Sequence, residues 1–311
     1  ELGMGEGAGP AELHPFGTQV RSKRDRWEEA VKAIIPMFTK ESWEFHGAYH
    51  DFPARNVIPK PYQKPHPPLW VACSNIKTIG QAGEWGMGAL GFTFVSPDAA
   101  TAWVNKYYNN LLHRPNRLTE YPVNPNIAMV SGFMCAETDE EAYEKASGWT
   151  FFIFALSYYG RKGVDAPGEG NLWEEFQDWR HSEKAQDAFK GALIGSPATI
   201  RKKLHQFQEA HVDQVILLNQ AGKTSHEDIC GSLKMFAEEV MPEFHALEAD
   251  HAQWKDDVLS GRLVLEDLGT QAYDIFSHQN ADIVRLTPEE LKARMAAKDA
   301  AQKEASVTPS P

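Results

Sequence analysis

Glycine occupies every second position from Gly3 to Gly9, and one acidic residue, Glu6, lies within this run. Glycine-rich loops let a ligand approach the backbone closely, and in dinucleotide-binding folds they hold a pyrophosphate. That fingerprint needs a strand before the glycines, a helix after them and an acidic residue about 20 positions later. Since one residue pair precedes the glycines and prolines follow them, the pattern gives weak support to a dinucleotide motif and is compatible with a loop whose backbone approaches a ligand.

Ser74 and Asn75 follow a short apolar run and precede a helical pattern, so a strand becomes a helix at this point. The free N–H groups and the dipole at the start of a helix favour an anion, and a serine hydroxyl there can donate to a phosphate oxygen. A second interpretation fits equally well, in which Ser74 is a simple helix cap. Thr78 lies one turn further along the same face.

Some side chains in the sequence are metal ligands in other proteins. His46 and His50 have i, i+4 spacing, but the glycine and aromatic residues around them predict a hairpin, and no third ligand is evident. We therefore predict no metal site. The three cysteines, Cys73, Cys135 and Cys230, lie in apolar surroundings without CxxC spacing and are predicted to be small core residues.

The composition limits the class of protein and its partners. The chain has 311 residues, of which 42% are hydrophobic, and a formal net charge of −12. This composition is typical of a globular protein, and the acidic balance argues against a nucleic acid or an anionic membrane as partner. The sequence contains neither a transmembrane-length apolar run nor a signal-peptide pattern, and its cysteines cannot build a disulfide framework. We expect a reduced, cytoplasmic protein.

Strand and helix patterns alternate through the middle of the chain. Short apolar runs predict strands at residues 69–73, 87–92, 127–135 and 214–218. Helices are predicted at 74–85, 96–112, from 138 onward, at 196–210 and at 226–244, with hydroxyl or glycine residues at several boundaries. Buried strands that alternate with helices are typical of a parallel α/β sheet.

The remaining segments have weaker patterns. We predict a helix over residues 16–37 that ends or kinks at Pro36, a hairpin over 43–59 and a proline-rich extended connector over 60–68. Residues 148–195 form a long, aromatic insertion before the last strand, which is either a helix buried on the sheet or a lid that walls a substrate. Residues 246–311 form a polar extension with a disordered end.

Four segments, taken in order, resemble bacterial luciferase-like flavin-dependent monooxygenases. Residues 3–17 resemble the glycine loop and the acidic and aromatic stretch that precede a helix rich in Arg and Glu. Residues 60–74 resemble the proline-rich connector and the fifth strand of the family, and 82–88 resemble its next helix-to-strand turn. Residues 212–222 with 239–242 resemble the eighth strand and the closing helix. Together the segments cover residues 1–245.

The resemblance implies a (β/α)8 barrel of the TIM-barrel type that binds FMN at the carboxyl ends of its strands. It also implies that a separate flavin reductase supplies reduced FMN, and that a small or medium organic substrate is oxidised with O2. Two alternatives stay open: a deazaflavin-dependent hydride transfer within the same family, and a non-catalytic flavin-binding protein.

Position by position, the resemblance also implies cofactor-binding residues. Ser74 matches the residue after the fifth strand that contacts the flavin phosphate, and Thr78 matches a hydroxyl in the next turn. Phe92 ends the sixth predicted strand of the barrel and is expected to face the flavin ring system.

A second set of matches lies in the amino-terminal loop. Gly5, Glu6 and Gly7 match the loop after the fourth strand, whose backbone lies beside the flavin. Luciferase has an arginine where Glu6 stands, so the resemblance implies that a positive charge near the phosphate is missing here. Cys73 stands where luciferase has a carboxylate.

The resemblance begins in the middle of the family's barrel. The family has three strands and most of a fourth before the glycine loop, and its catalytic histidine lies in that part, so no catalytic residue is assigned. We expect an incomplete barrel, a fragment of a longer enzyme that is inactive alone. Exposed strand edges would make it associate with copies of itself, so a homo-oligomer is expected.

Overall fold

The structure is a computed structural model that describes residues 1–7, 10–91, 97–162, 171–219 and 222–268, together with the single positions 289, 293, 296, 297 and 300. The chain divides into two compact units. The first unit contains Glu1–Leu69, Asn116–Val123 and His278–Pro311, and the second contains Trp70–Pro115 and Asn124–Ser277. Each unit is described by itself.

Among its described residues, the first unit contains short strands, two 3-10 turns, one short helix and one long helix. Its elements are β1 (Leu2–Met4), α1 (Pro10–Leu13), the 3-10 turns His14–Phe16 and Val20–Ser22, α2 (Lys23–Thr39), β2 (Trp43–His46) and β3 (Asp51–Arg55).

The predicted helix over residues 16–37 is wrong at its start. Helix α2 begins at Lys23 because the preceding residues form the 3-10 turns, and Gly17 ends the first of them in the left-handed region at φ 65°. The helix continues through Pro36 and ends at Thr39. Its buried apolar face consists of Trp27, Val31, Ala33 and Ile35.

The predicted hairpin is confirmed, since β2 and β3 pair antiparallel. One carboxylate from α2 holds its turn. Glu29 accepts hydrogen bonds from the backbone N–H groups of Ala48, Tyr49 and His50, at 2.8, 2.7 and 2.7 Å. The connector over residues 60–68 is neither helix nor strand, as predicted from its prolines.

The second unit contains five strands and ten helices among its described residues. The strands are β4 (Leu69–Cys73, in this unit from Trp70), β5 (Gly88–Gly91), β6 (Ile127–Cys135), β7 (Leu193–Gly195) and β8 (Gln214–Leu218). The helices are α3 (Ile76–Trp85), α4 (Pro97–His113), α5 (Asp139–Lys145), α6 (Ser147–Lys162), α7 (Leu172–Trp179), α8 (Glu183–Lys190), α9 (Pro197–Glu209), α10 (His226–Glu239), α11 (Met241–His245) and α12 (Glu248–Leu259).

The strands of the second unit form a parallel sheet. Strand β5 pairs with β4 on one side and with β6 on the other, and β6 pairs with two further strands. The amino-terminal half of β6 pairs with β8, while its carboxyl end pairs with β7. All these pairings are parallel, which confirms the predicted α/β class. Strand β7 was not predicted, because three residues are too short to show an alternating pattern.

The predicted helix start at Thr138 and the predicted helix end at Gly86 are confirmed by their caps, whereas the predicted cap at Ser96 lies outside the described residues. Thr138 accepts a hydrogen bond from the Glu141 N–H, and Gly86 ends α3 with φ 71°. The predicted helix over residues 226–244 is wrong, since α10 ends at Glu239 and α11 begins at Met241. Proline in the first turn of α11 suits a new helix start, because no N–H is needed there.

The insertion begins with a helix that packs against the sheet. The Trp149 ring of α6 lies beside Met134 of β6 and Ile194 of β7. Gly132 makes room for it, since a Cβ there would lie 2.2 Å from the indole. Further along, Phe154 and other aromatic residues form a second cluster with α7. Residues 163–170 of the insertion lie outside the described residues.

In the carboxyl-terminal extension, the part of the chain up to residue 268 contains helix α12, which contacts α4. The rings of Trp254 and Tyr108 meet edge to face with centroids 5.5 Å apart. Residues beyond 268, where the disordered end was predicted, lie outside the described part apart from the single positions named above. Among the described helices, none combines the length and the apolar character needed to span a bilayer.

Candidate functional site

The carboxyl end of β4 leads directly into α3, and this junction places Ser74. Ser74 is exposed, immediately before the helix. The interpretation of Ser74 as the helix cap is wrong, because Asn75 is the N-cap and its side chain accepts a hydrogen bond from the Thr78 N–H at 3.0 Å. The cap lies one residue later than predicted, so the Ser74 hydroxyl has no capping role.

Thr78 lies one turn along α3, but its hydroxyl is already engaged. It donates to the Asn75 carbonyl at 2.8 Å and accepts from the Asn75 N–H at 3.3 Å. This reciprocal arrangement is a capping box. The hydroxyl therefore stabilises the helix start, and a second role at a cofactor would compete with these bonds.

Lys77 is a residue of this junction that the sequence analysis missed. It is exposed in the first turn of α3, which holds no acidic residue. A cation near a helix N-terminus is unfavourable by itself, since the helix dipole already places positive charge there. That unusual position was the available signal, because two sources of positive charge at one place suit an anionic ligand.

Glu6 lies in the first unit and has partners there that the sequence did not identify. Arg24 donates from Nη2 to Glu6 Oε1 at 2.9 Å and from Nε to Glu6 Oε2 at 2.5 Å. Lys23 Nζ lies 3.4 Å from Glu6 Oε1 and donates to the Gly7 carbonyl at 2.8 Å. The expected loss of positive charge at this loop is therefore offset by two cations from the start of α2.

The two glycines beside Glu6 differ in what their positions require. Gly7 has φ 80°, and a Cβ there would lie 2.7 Å from Leu13 Cδ2. Gly5 is exposed. Phe92, the predicted ring contact, lies outside the described residues, and β5 ends at Gly91. The cofactor-binding assignments to Gly5, Glu6, Gly7, Ser74, Thr78 and Phe92 stay predictions.

His46 and His50, which have the i, i+4 spacing of metal ligands, each contact a different residue of the protein. His46 Nδ1 lies 2.7 Å from Asp51 Oδ1, and His50 Nε2 lies 3.3 Å from the Arg26 carbonyl oxygen. Both residues belong to the β2–β3 hairpin region, so their i, i+4 spacing does not place them on one helix face. In the part of the chain that the structure describes, His, Cys, Asp and Glu side chains form no metal-binding group of three or more.

The prediction for the cysteines is confirmed for two and wrong for the third. Cys73 and Cys135 are buried, and burial raises the pKa of the Cys135 thiol to about 11. Cys230 is exposed on α10, with Sγ 3.5 Å from His226 Nε2. The apolar neighbours of Cys230 in sequence misled the prediction, because on a helix they point to a different side from the cysteine.

We expect a thiol reagent to modify Cys230 alone in the folded chain. Burial hides Cys73 and Cys135 and keeps the latter protonated, whereas the thiolate is the reactive form. Mass spectrometry after iodoacetamide treatment should locate a single adduct, and Cys230→Ser should remove it. Native labelling of Cys73 at a similar rate would contradict the described burial.

A cavity of about 560 Å³ lies beyond the carboxyl end of β8. Its described lining residues are Phe151, Asn171, Leu172, Trp173, Gly222 and Lys223. The aromatic residues come from the insertion, which was predicted either to pack on the sheet or to wall a substrate. The volume falls within the range of small-molecule sites.

A buried carboxylate lies at the opposite, amino-terminal edge of the sheet. Asp213, just before β8, accepts from His251 Nε2 at 2.8 Å and from Lys255 Nζ at 2.9 Å, both at Oδ1. Its Oδ2 accepts from the Tyr108 hydroxyl at 2.8 Å and from the Ile127 N–H at 2.7 Å. Because these partners come from α12, α4 and β6, we assign Asp213 a role in holding the unit together.

Comparison with known proteins bears on both the fold and the family. A sequence model described as luciferase-like monooxygenase matches residues 1–214. The uncharacterized protein y4wF of Sinorhizobium fredii is 32% identical over 86 residues, which are 28% of this chain and 25% of that protein. The chain therefore spans about a quarter of the length of that relative.

A second relative matches over more of its length. The oxygenase component of flavin-dependent trigonelline monooxygenase from Acinetobacter baylyi is 23% identical over 262 residues, which cover 80% of this chain and 69% of that protein.

Two solved structures share the fold. The oxygenating constituent of 3,6-diketocamphane monooxygenase from Pseudomonas putida, in complex with FMN, superposes with a TM-score of 0.56 at 18% identity, covering 78% of this chain and 70% of that one. The coenzyme F420-dependent tetrahydromethanopterin reductase from Methanopyrus kandleri gives 0.55 at 19% identity, covering 78% and 73%. The likeness confirms the α/β fold of the TIM-barrel type. With the family match over residues 1–214, the chain belongs to the luciferase-like monooxygenases.

Proposed function

We propose that this protein is a flavin-dependent monooxygenase that oxidises a small or medium organic substrate with reduced FMN and O2. Its family and the name of a relative over 80% of the chain, the oxygenase component of a flavin-dependent monooxygenase, support this proposal. An oxygenase component receives its reduced flavin from elsewhere, so a separate flavin reductase is the proposed partner.

The junction between β4 and α3 is the observation on which the proposal rests. It presents an exposed serine hydroxyl, an exposed lysine and the N-terminus of a helix at the carboxyl edge of a parallel sheet. Hydroxyl, ammonium and backbone N–H groups are donors that fit a phosphate dianion. We assign the FMN phosphate to Ser74, Lys77 and the start of α3.

The chain's own residues would bind and orient the cofactor. When bound, reduced FMN supplies the electrons for the oxidation with O2. The Asn75–Thr78 capping box uses the Thr78 N–H and fixes the first turn of α3, so the Ile76 and Lys77 N–H groups are aligned before a ligand arrives. The buried Cys73 Sγ contacts the Thr78 carbonyl at 3.4 Å and joins the end of β4 to the same turn. This arrangement orients the phosphate donors without further ordering of the backbone.

An anaerobic titration with reduced FMN and, separately, with a reduced deazaflavin tests the proposal. We expect saturable binding of reduced FMN, and faster flavin reoxidation or altered product formation when O2 is admitted to the complex. If neither reduced FMN nor the reduced deazaflavin binds, the result would contradict a flavin-dependent function.

A deazaflavin-dependent hydride transfer is the second candidate function. The likeness to a coenzyme F420-dependent reductase shows that this fold accommodates such a cofactor in another protein. Tighter binding of the reduced deazaflavin than of reduced FMN, with turnover that needs no O2, would favour this candidate over the first.

Replacing Ser74 by alanine should weaken reduced FMN binding by roughly 1.5–3 kcal/mol, because a charge-assisted hydrogen bond to phosphate is lost. Ser260→Ala is the matched control, since it removes an exposed hydroxyl that donates to the Asp257 carbonyl at the end of α12. Fluorescence or calorimetric titration of both variants measures the difference. Equal affinities in Ser74→Ala and the control would remove Ser74 from the site.

A further inference from the structure

The cavity beyond β8 has a wall made of aromatic rings. Phe151 and Trp173 both line it, with ring centroids 5.3 Å apart and planes tilted by 53°. Behind them Phe176 is fully buried and contacts each ring at a centroid distance of 5.3 Å. Because a buried ring supports both, the wall offers a planar ligand a surface that needs little ordering on binding.

A cation lies against the same wall. The Lys223 ammonium stands 4.4 Å from the centroid of the Trp173 ring. Among the described residues, no carboxylate lies within the 4.0 Å ion-pair distance of this ammonium. An incoming carboxylate would therefore pair with Lys223 without displacing a carboxylate among those residues. Such a site is unusual in a chain with a net charge of −12.

The backbone beside Lys223 is held close to the insertion. Gly222 has φ 68°, and a Cβ at this position would lie 2.8 Å from the Cα of Gly148. A side chain is therefore excluded by both conformation and space. This close approach anchors the loop that presents Lys223 next to the start of α6, so the cation and the aromatic wall keep their relative positions.

Asn171 adds a polar group to the rim of the cavity. It is the N-cap of α7, and its side-chain oxygen accepts a hydrogen bond from the Glu174 N–H at 3.3 Å. The oxygen is therefore used within the protein, and the amide nitrogen is the end of the side chain that can donate to a ligand. Lys223 and Asn171 together offer donors to a carboxylate, while Trp173 and Phe151 offer ring surface.

We propose that this cavity binds a planar aromatic carboxylate, with its carboxylate on Lys223 and its ring on Trp173 and Phe151. The claim that this ligand is also the oxidised substrate rests on the proposed flavin-dependent function. It follows from the position of the cavity at the carboxyl edge of the sheet, where barrel enzymes of this kind react. The recognition itself rests on the described contacts alone.

Binding of benzoate to the whole chain, without flavin, tests the proposal by calorimetry. Benzamide has the same ring without the charge, and cyclohexanecarboxylate has the charge without the aromatic ring. We expect benzoate to bind about tenfold more tightly than either, since each loses one type of contact. Lys223→Ala should remove the preference for benzoate over benzamide, Lys223→Arg should restore it, and Trp173→Leu should remove the preference over cyclohexanecarboxylate.

Lys202→Ala is the matched control, because Lys202 is an exposed lysine on α9 outside the cavity lining. Equal binding of benzoate and benzamide to the unsubstituted chain, or an equal loss in the Lys202 and Lys223 variants, would overturn the proposal. Reduced FMN affinity is measured in parallel samples. Benzoate recognition without FMN binding contradicts the flavin-dependent function and leaves the cavity assignment standing, whereas FMN binding without benzoate recognition overturns the cavity assignment alone.

Discussion

Replacing Asp213 by asparagine should lower the free energy of unfolding by about 3–5 kcal/mol, because removing one partner of a buried ion pair leaves the other charge poorly compensated. The Asp213 side chain is 4% exposed and receives hydrogen bonds from His251, Lys255, Tyr108 and the Ile127 N–H. An asparagine side chain has the shape of the aspartate, but its NH2 group would face the donors from which Asp213 accepts hydrogen bonds. Urea unfolding followed by circular dichroism measures the loss.

Asp256→Ala is the control for Asp213, since Asp256 lies on the same helix as His251 and Lys255 but is exposed and pairs with exposed Arg262. Exposed pairs contribute about 0–1 kcal/mol, so this variant should unfold close to the unsubstituted chain. A comparable loss in both variants would show that the buried network adds little.

The same network predicts how stability depends on pH. Burial disfavours the ionised form of Asp213, but the His251 hydrogen bond and the Lys255 charge outweigh it and hold the pKa of Asp213 below its ordinary value of 3.8. A lowered pKa in the folded state stabilises the fold above the unfolded value, and this contribution is lost as pH falls through 3.8 and below. The stabilities of the unsubstituted chain and Asp213→Asn should therefore converge in that acidic range.

Gly83→Ala should lower the free energy of unfolding by about 3 kcal/mol, near the upper end of typical overpacking costs. A Cβ at Gly83 of α3 would lie 2.4 Å from the Tyr107 carbonyl oxygen and 3.0 Å from the Leu111 backbone nitrogen of α4. Backbone atoms cannot rotate away as a side chain can, so the two helices would have to separate. Denaturant unfolding of the purified variant checks this value.

Gly231→Ala provides a control of the same chemistry on α10, where a Cβ would meet nothing within 4 Å. An alanine in an exposed helix position should raise stability by about 0.5–1 kcal/mol relative to glycine. The two substitutions should therefore shift the unfolding midpoint in opposite directions. Shifts of the same sign would contradict the close approach of α3 and α4.

Local patterns in the sequence predicted much of the second unit correctly. The runs at residues 69–73, 127–135 and 214–218 are strands with these bounds, because each is a mostly apolar run of strand length between helical patterns. Strand β7 was missed because it consists of three residues within the aromatic insertion. The start of α2 was misplaced because an amphipathic pattern cannot separate a helix from the 3-10 turns before it.

Only part of the candidate site was predicted from the sequence, because local patterns do not show backbone angles or contacts between distant residues. The strand-to-helix junction at Ser74 was identified, but the cap belongs to Asn75, since capping depends on backbone angles that shift by one residue without changing the pattern. Lys223 and Trp173 were not identified, because a ring and a cation far apart in sequence become neighbours only when α7 and the loop after β8 meet.

The sequence by itself determined the class of fold, the family resemblance and the caps at Thr138 and Ser196, because each of these caps joins groups three residues apart. Tertiary structure alone decided the partners of Glu6 and Asp213 and the exposure of Cys230. Tyr108 and Asp213 lie 105 positions apart, and no local pattern specifies that they meet. Hydrogen bonds between distant residues form only once the helices have packed on the sheet, so the charges they balance follow from the whole fold.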